Sequence, residues 1–412
     1  MSDDIKPFNV SVPDSSIQLL KNKLAAATFP DEVDFSDDWS YGATLSDVRR
    51  LAQYWKDGFD WRAQEERINR MAQFTTTIDV EGFGGLNIHF VHQRSSRSGS
   101  IPLLFVHGWP GSFLEVAKVL PLLTEPKDED APSFHVVAPS LPNFGFSDAV
   151  TKKGFSLAQY AETMHKVMLK LGYDKYVTQG GDWGCFITRL IGLNYPDHCL
   201  ASHINFIFVK PPIFKSLWLG IKYYLGLLSD SDSKSVSRTG WYARDGSGYM
   251  ILQSTKPSTL GFAMADSPVA LLAWIHEKLH DWTDDYPWTD DEVLTWVSIY
   301  QFSSAGPAAN LRIYYEVLRI KLEELERTMM YIPKVPLGVS FYPKDVLFPP
   351  RSWAKALGPV VFEAVHTEGG HFAAHECPEQ FVEDLRTMFG AGGGAHGAVR
   401  LFALNPRECD EQ

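Results

Sequence analysis

The sequence predicts an α/β chain with a mostly parallel, doubly wound sheet, a large helical insertion at the sheet's carboxyl edge and a helical leader. Three observations carry this. Continuous apolar runs at Ile101–Val106 and Phe134–Pro139 alternate with helical periodicity, as strands buried on both faces do. A strand-like run, Tyr176-Val177-Thr178-Gln179, breaks at Gly180-Gly181-Asp182-Trp183-Gly184 and continues as an amphipathic helix, so Asp182 projects alone from a sharp turn. From residue 210 to 331 the alternation stops and an aromatic, helix-periodic insertion takes its place, as in a lid.

In order, residues 1–75 read as the helical leader. Stretches 15–27 and 45–55 have apolar residues at helical spacing, with Leu45, Val48, Leu51, Tyr54 and Trp55 on one side. Trp39, Tyr41, Trp55, Phe59 and Trp61 give it enough large contacts to pack on the main body. Residues 76–209 form the first part of the core. Alternation around Gly82-Phe83-Gly84-Gly85 predicts strand, turn, strand. The run Ile101–Val106 ends in His107-Gly108-Trp109-Pro110-Gly111-Ser112, followed by a helix over 113–123; Phe134–Pro139 leads into Asn143–Asp148, and a helix over 157–171 brings the chain to the elbow. Residues 201–209 are a further strand. Within the lid, 210–331, the most apolar stretch is 217–228, which is too short to span a bilayer at about 20 residues per span and reads as either a core helix or an interfacial one. Residues 229–239 are the most polar piece and are expected to be mobile. The core resumes over 332–390 with strands at 335–342 and Val360–Val365 and helices at 350–357 and 379–389. Ala391-Gly392-Gly393-Gly394 is a flexible break, and 391–412 is expected to be a loosely held tail.

Composition excludes several classes of function. With 45% hydrophobic and 21% charged residues the chain is globular, and a net charge of −12 without a basic stripe argues against nucleic acid. The first seven residues have no apolar run, so no signal peptide or membrane anchor is expected and the protein should be soluble and cytoplasmic. Cys185, Cys199, Cys377 and Cys409 lack metal-ligand spacing and are expected to be free thiols; neither a metal nor a cofactor is expected. An aromatic content of 13%, with 12 Trp, points to apolar cavities for flat or greasy ligands.

A turn of this kind can simply cap a helix, but its context favours chemistry. An Asp carboxyl titrates near about 3.9 and is ionised at neutral pH, so Asp182 needs no base in order to attack. It suits an alkylating electrophile, where attack on carbon gives an ester. Downstream, Phe341-Tyr342-Pro343-Lys344-Asp345 and Glu368-Gly369-Gly370-His371-Phe372 each follow a strand, in the order nucleophile, acid, histidine. Asp345 can fix the tautomer of His371, whose other nitrogen can then deprotonate water. Asp148 and Glu368 are alternative carboxylates. The loop after Ile101–Val106 can aim the amide of Trp109 beside that of Trp183, giving two donors for an oxyanion, with His107 as buried support.

His107-Gly108-Trp109-Pro110-Gly111-Ser112, Gly180-Gly181-Asp182-Trp183-Gly184 and Glu368-Gly369-Gly370-His371-Phe372-Ala373-Ala374 together resemble the motifs of microsomal-type epoxide hydrolases of the α/β-hydrolase superfamily, in particular the soluble fungal members. The likeness covers about residues 5–390. It implies an α/β-hydrolase fold with a helical lid and an amino-terminal epoxide hydrolase domain. It also implies cofactor-free conversion of a small apolar or aromatic epoxide to a vicinal diol, and a homodimer. Matched to Ser247-Gly248-Tyr249-Met250 and Arg312-Ile313-Tyr314-Tyr315-Glu316, it implies that Tyr249 and Tyr314 donate to the epoxide oxygen, with Tyr315 the alternative register. Asp345 is shorter than the Glu of mammalian members, and 229–237 has no clear counterpart in the family. The rivals are a haloalkane dehalogenase, which needs halide donors in place of phenols, and a catalytically silent binding protein, a class that usually loses one of the three residues kept here. The elbow has no Ser, which argues against a serine esterase.

Overall fold

The computed structural model describes residues 4–210 and 213–404. Nine strands form one sheet: β1 (Lys6–Pro7), β2 (Gln73–Val80), β3 (Gly84–Gln93), β4 (Ile101–Val106), β5 (Phe134–Pro139), β6 (Tyr176–Gly180), β7 (Cys199–Ile204), β8 (Leu337–Phe341) and β9 (Val360–Val365). Their order is β1-β2-β3-β5-β4-β6-β7-β8-β9. The first three strands and the β3–β5 pair are antiparallel; from β5 to β9 every pair is parallel. β4, β5, β6 and β8 are buried throughout, as strands covered by helices on both faces are. Chain order reverses between β4 and β6, so the carboxyl ends of these strands open a crevice where the sheet can hold a ligand.

The leader folds as helices Asp14–Ala25, Leu45–Asp57 and Trp61–Ile68. The second presents Leu45, Val48, Leu51, Ala52 and Trp55 inward at helical spacing, and burying each of the larger of these contributes about 1.5–3 kcal/mol. Asp60 caps the third by accepting from the Ala63 amide. The leader reaches the lid through the hydroxyl of Tyr54, which donates to Asp291 at 2.9 Å. The lid's principal helices are Asp230–Trp241, Gly248–Thr255, Pro257–Asp266, Pro268–Asp281 and Asp290–Gln301. Thr289 and Glu292 form a reciprocal capping box at the start of the last.

Several expectations are corrected. The polar stretch 229–239 is a helix, Asp230–Trp241, because Ser229 caps it and Arg238 anchors it to the core. The expected helix over 113–123 is a 3-10 turn, Phe113–Val116, and a short helix, Leu120–Thr124; Pro121 cannot donate to a continuous ladder. The strand expected over 201–209 is Cys199–Ile204. Residues 217–228 are not a core helix: helix Ile213–Tyr224 leaves Leu217, Trp218, Tyr223 and Tyr224 exposed. The tail is held as far as it is described, since helix His396–Leu404 buries Val399 and Phe402; residues 405–412, with Cys409, lie outside the described residues. Cys185, Cys199 and Cys377 are free thiols. Among the described residues, no single helix is long and apolar enough to cross a membrane.

Candidate active site

The elbow between β6 and helix Trp183–Asn194 holds Asp182 at φ 47°, ψ −126°, a conformation that costs a non-glycine residue on the order of 1–3 kcal/mol. Small neighbours make it reachable. A Cβ on Gly184 would lie 1.9 Å from the carbonyl of Val106, so the helix seats directly on the end of β4. A Cβ on Gly108 would lie 2.2 Å from Asp182 Oδ1, so the β4 exit loop closes over the carboxylate.

That loop supplies the first donor. The Trp109 amide donates to Asp182 Oδ1 at 2.7 Å, and the Trp183 amide also stabilises the carboxylate. Burial raises the Asp182 carboxyl, while the charge on His371 and the two amides pull it back down. His107 accepts from the Leu141 amide and bonds its own loop at the Gly108 carbonyl; burial lowers its pKa to about 4, which leaves it a neutral support.

His371 and Asp345 arrive from the exits of β9 and β8. His371 Nδ1 donates to Asp345 Oδ1 at 2.6 Å, and Nε2 stands 3.7 Å from Asp182 Oδ2. Both residues are almost wholly buried. Burial opposes charge on His371, but Asp345 above all, then Asp182 and Glu115, outweigh it and push the imidazole up to about 9. The alternative carboxylates serve elsewhere: Asp148 accepts from the Asn87 amide and Glu368 from Gln380.

Tyr249 and Tyr314 both reach this centre. Tyr249 stacks on Trp109 with centroids 5.1 Å apart; Tyr314 stands edge-on to Trp183 at 4.9 Å and lies 5.8 Å from Tyr249. Both are buried, and burial first, then their neighbours, keeps the phenols protonated well above their usual range. The Tyr314 hydroxyl has no hydrogen-bond partner among the described residues, whereas Tyr315 is partly exposed. Each of the two tyrosines lies within three residues of a π-helical turn, Tyr242–Gly246 before Tyr249 and Glu316–Ile320 after Tyr314, a feature frequent at functional sites.

Sequence reasoning missed the groups that hold this set in place. Arg238 donates to the carbonyl of Asp345 at 2.8 Å and to that of Lys344 at 2.7 Å, so helix Asp230–Trp241 clamps the Asp345 loop. The His371 amide donates to the Trp282 carbonyl at 2.7 Å, and Glu376 accepts from the amides of Phe372 and Asp284. The Glu115 carboxyl occupies the space a Gly111 side chain would fill, and burial raises it to about 8. Of these, only the Gly111–Glu115 pairing carries a sequence signal, a glycine four residues before an acid at a loop-to-helix junction. Among the described residues no group of three His, Cys, Asp or Glu side chains is placed to hold a metal.

A family model described as the epoxide hydrolase N terminus matches residues 5–116, and one for the alpha/beta hydrolase fold matches 101–205. The chain is 34% identical to epoxide hydrolase 1 of Sus scrofa, over 94% of this chain and 89% of that one. The structure matches Aspergillus niger epoxide hydrolase with a TM-score of 0.80 at 36% identity, over 92% of this chain and 94% of that one. It matches the juvenile hormone epoxide hydrolase of Bombyx mori with a TM-score of 0.84 at 27% identity, over 97% and 95%. With an α/β-hydrolase core, a helical amino-terminal domain and this extent of likeness, the chain belongs to the epoxide hydrolases.

Proposed function

We propose that this enzyme opens small apolar or aromatic epoxides through a covalent ester on Asp182. The carrying observation is the placement of one carboxylate: Oδ1 is held by the Trp109 amide while Oδ2 faces His371 across 3.7 Å. Oδ2 is then the attacking oxygen. It forms a bond to a ring carbon as the carbon–oxygen bond of the epoxide breaks, and Tyr249 and Tyr314 stabilise the departing oxygen and supply its proton. Oδ1 becomes the carbonyl of the ester, already in contact with the amides that hold an oxyanion.

His371 Nε2 next takes a proton from water, and the resulting hydroxide attacks the ester carbonyl carbon. Asp345 stabilises the imidazolium, and the amides of Trp109 and Trp183 stabilise the tetrahedral oxyanion. When the carbonyl–oxygen bond to the substrate breaks, His371 returns its proton to the leaving diol. The proton left on the Asp182 carboxyl restores the phenol.

Two assays test this reading. Purified enzyme given matched panels of epoxides and haloalkanes should yield diol and no halide; halide without diol would favour a dehalogenase, and silence on both a binding protein. In His371→Gln, intact-protein mass spectrometry should find the ester accumulating. Absence of an adduct in a variant that binds substrate would count against the covalent step. The homodimer implied by the family likeness is a further expectation, and sedimentation would test it.

A further inference from the structure

Helix Pro268–Asp281 carries a buried cation that the mechanism above does not use. The Lys278 side chain is 6% exposed and pairs with its neighbour Glu277. Its ammonium lies 4.9 Å from the ring centre of Tyr249, 5.6 Å from Trp274 and 5.8 Å from Trp282. The spacing explains how the cage forms. Trp274, Lys278 and Trp282 follow one another at intervals of four and share one side of the chain, and Tyr249 comes from the neighbouring helix Gly248–Thr255. Trp274 Nε1 ties the two helices by donating to Gln253 at 3.2 Å. Trp282 in turn stands edge-on to His371 at 4.9 Å.

An ammonium taken out of water is expensive, and a buried ion pair is often no more stabilising than an apolar side chain of like volume. Stability alone therefore gives little reason for a lysine at this position. We infer that Lys278 is a positioning residue for ring opening: its ammonium, held over Tyr249, stabilises the negative charge that Tyr249 acquires as it gives its proton to the departing epoxide oxygen. A neutral phenol attracts the cation only through the ring quadrupole. As the proton leaves, charge spreads into the ring and the attraction grows, so the cation favours the transition state over the bound substrate. The inference rests on the proton-donor role proposed for Tyr249.

The test separates the two half-reactions by single-turnover kinetics with a styrene-type epoxide, following ester formation and ester decay on the full-length chain. Lys278→Met and Lys278→Gln keep most of the side chain's length without its charge. Each is expected to slow ester formation about tenfold, equivalent to about 1.4 kcal/mol, with ester decay changed less than about twofold. Lys278→Arg, which keeps the charge, is expected to recover most of the rate. In a Tyr249→Phe background the Lys278 substitutions should slow ester formation no further, because the group they act through is gone. Ester formation at the parental rate in the Met and Gln variants would overturn the inference, as would the same tenfold loss in the Tyr249→Phe background, which a purely structural cage would produce. Tyr249→Phe alone at the parental rate would overturn the tyrosine assignment and this inference with it. A slow Tyr249→Phe beside an unimpaired Lys278→Met would overturn the inference alone.

Discussion

Replacing Asp345 with Asn probes the hydrolytic half of the proposed cycle. Asp345 Oδ1 lies 2.6 Å from His371 Nδ1, the side chain is 2% exposed, and its charge is the chief influence raising the imidazole against burial. In the proposed mechanism His371 takes a proton from water, and an imidazolium would then form beside this carboxylate. With charge centres about 4 Å apart and an effective dielectric constant of about 20, their attraction is about 4 kcal/mol. The Asn carbonyl dipole restores part of that, so ester decay should slow by roughly a hundredfold to a thousandfold at about 1.4 kcal/mol per tenfold. Ester formation should suffer less, because the amides of Trp109 and Trp183 still favour the ionised Asp182. Rapid quench followed by intact-mass measurement gives both rates, and ester should build up as a burst. Equal slowing of both steps, or no slowing of decay, would refute the role given to Asp345. Asp148→Asn and Glu368→Gln serve as controls and should leave both rates within about twofold, as changes away from the site usually do.

Tyr314→Phe removes a hydroxyl that has no other hydrogen-bond partner among the described residues, so folding should be little affected while ester formation slows about a hundredfold, the scale for losing one donor to a developing oxyanion. Parental ester formation in this variant would sink the assignment. Gly184→Ala places a Cβ 1.9 Å from the Val106 carbonyl, a backbone atom that cannot turn away, and should destabilise the fold by about 3 kcal/mol in urea unfolding; an unchanged midpoint would show that the elbow helix can shift. His371 has a folded pKa of about 9 against an ordinary 6.5, so its contribution to stability is fully present below about 6.5 and is lost as pH rises through about 9. Thermal melts of His371→Gln should therefore fall less steeply across that window than those of the parent. The proposed esterification of Asp182 would remove one of the anions holding His371 up, so ester decay should rise with pH and level off with a midpoint below about 9.

What could be read in advance depended on whether the signal was local. β4 and β5 declare themselves as apolar runs, and the elbow declares itself through small residues whose missing side chains are the space other backbone occupies at Gly180 and Gly184. That Asp345 and His371 come together was legible because each follows a strand that ends at the same edge of the sheet. Arg238 was not, since its meaning lies in a carbonyl 107 residues away, and a polar stretch without that contact does read as mobile. Trp282 and Lys278 look like ordinary helix residues until Tyr249 and His371 are brought against them. The described part of the tail misled through its glycines: Gly393 and Gly394 permit close approach to the carbonyls of Thr387 and Val361, a packing role that is indistinguishable in sequence from flexibility.

The covalent role proposed for Asp182 is open to a direct isotope test. With enzyme in excess over epoxide, in water labelled with heavy oxygen, each active site turns over once. If Asp182 is the nucleophile, the first diol leaves carrying unlabelled oxygen from the carboxylate, and the label appears in the Asp182 peptide on digestion and mass spectrometry. Label in the first diol with none in that peptide would mean that water attacks the epoxide directly, and it would contradict the ester mechanism.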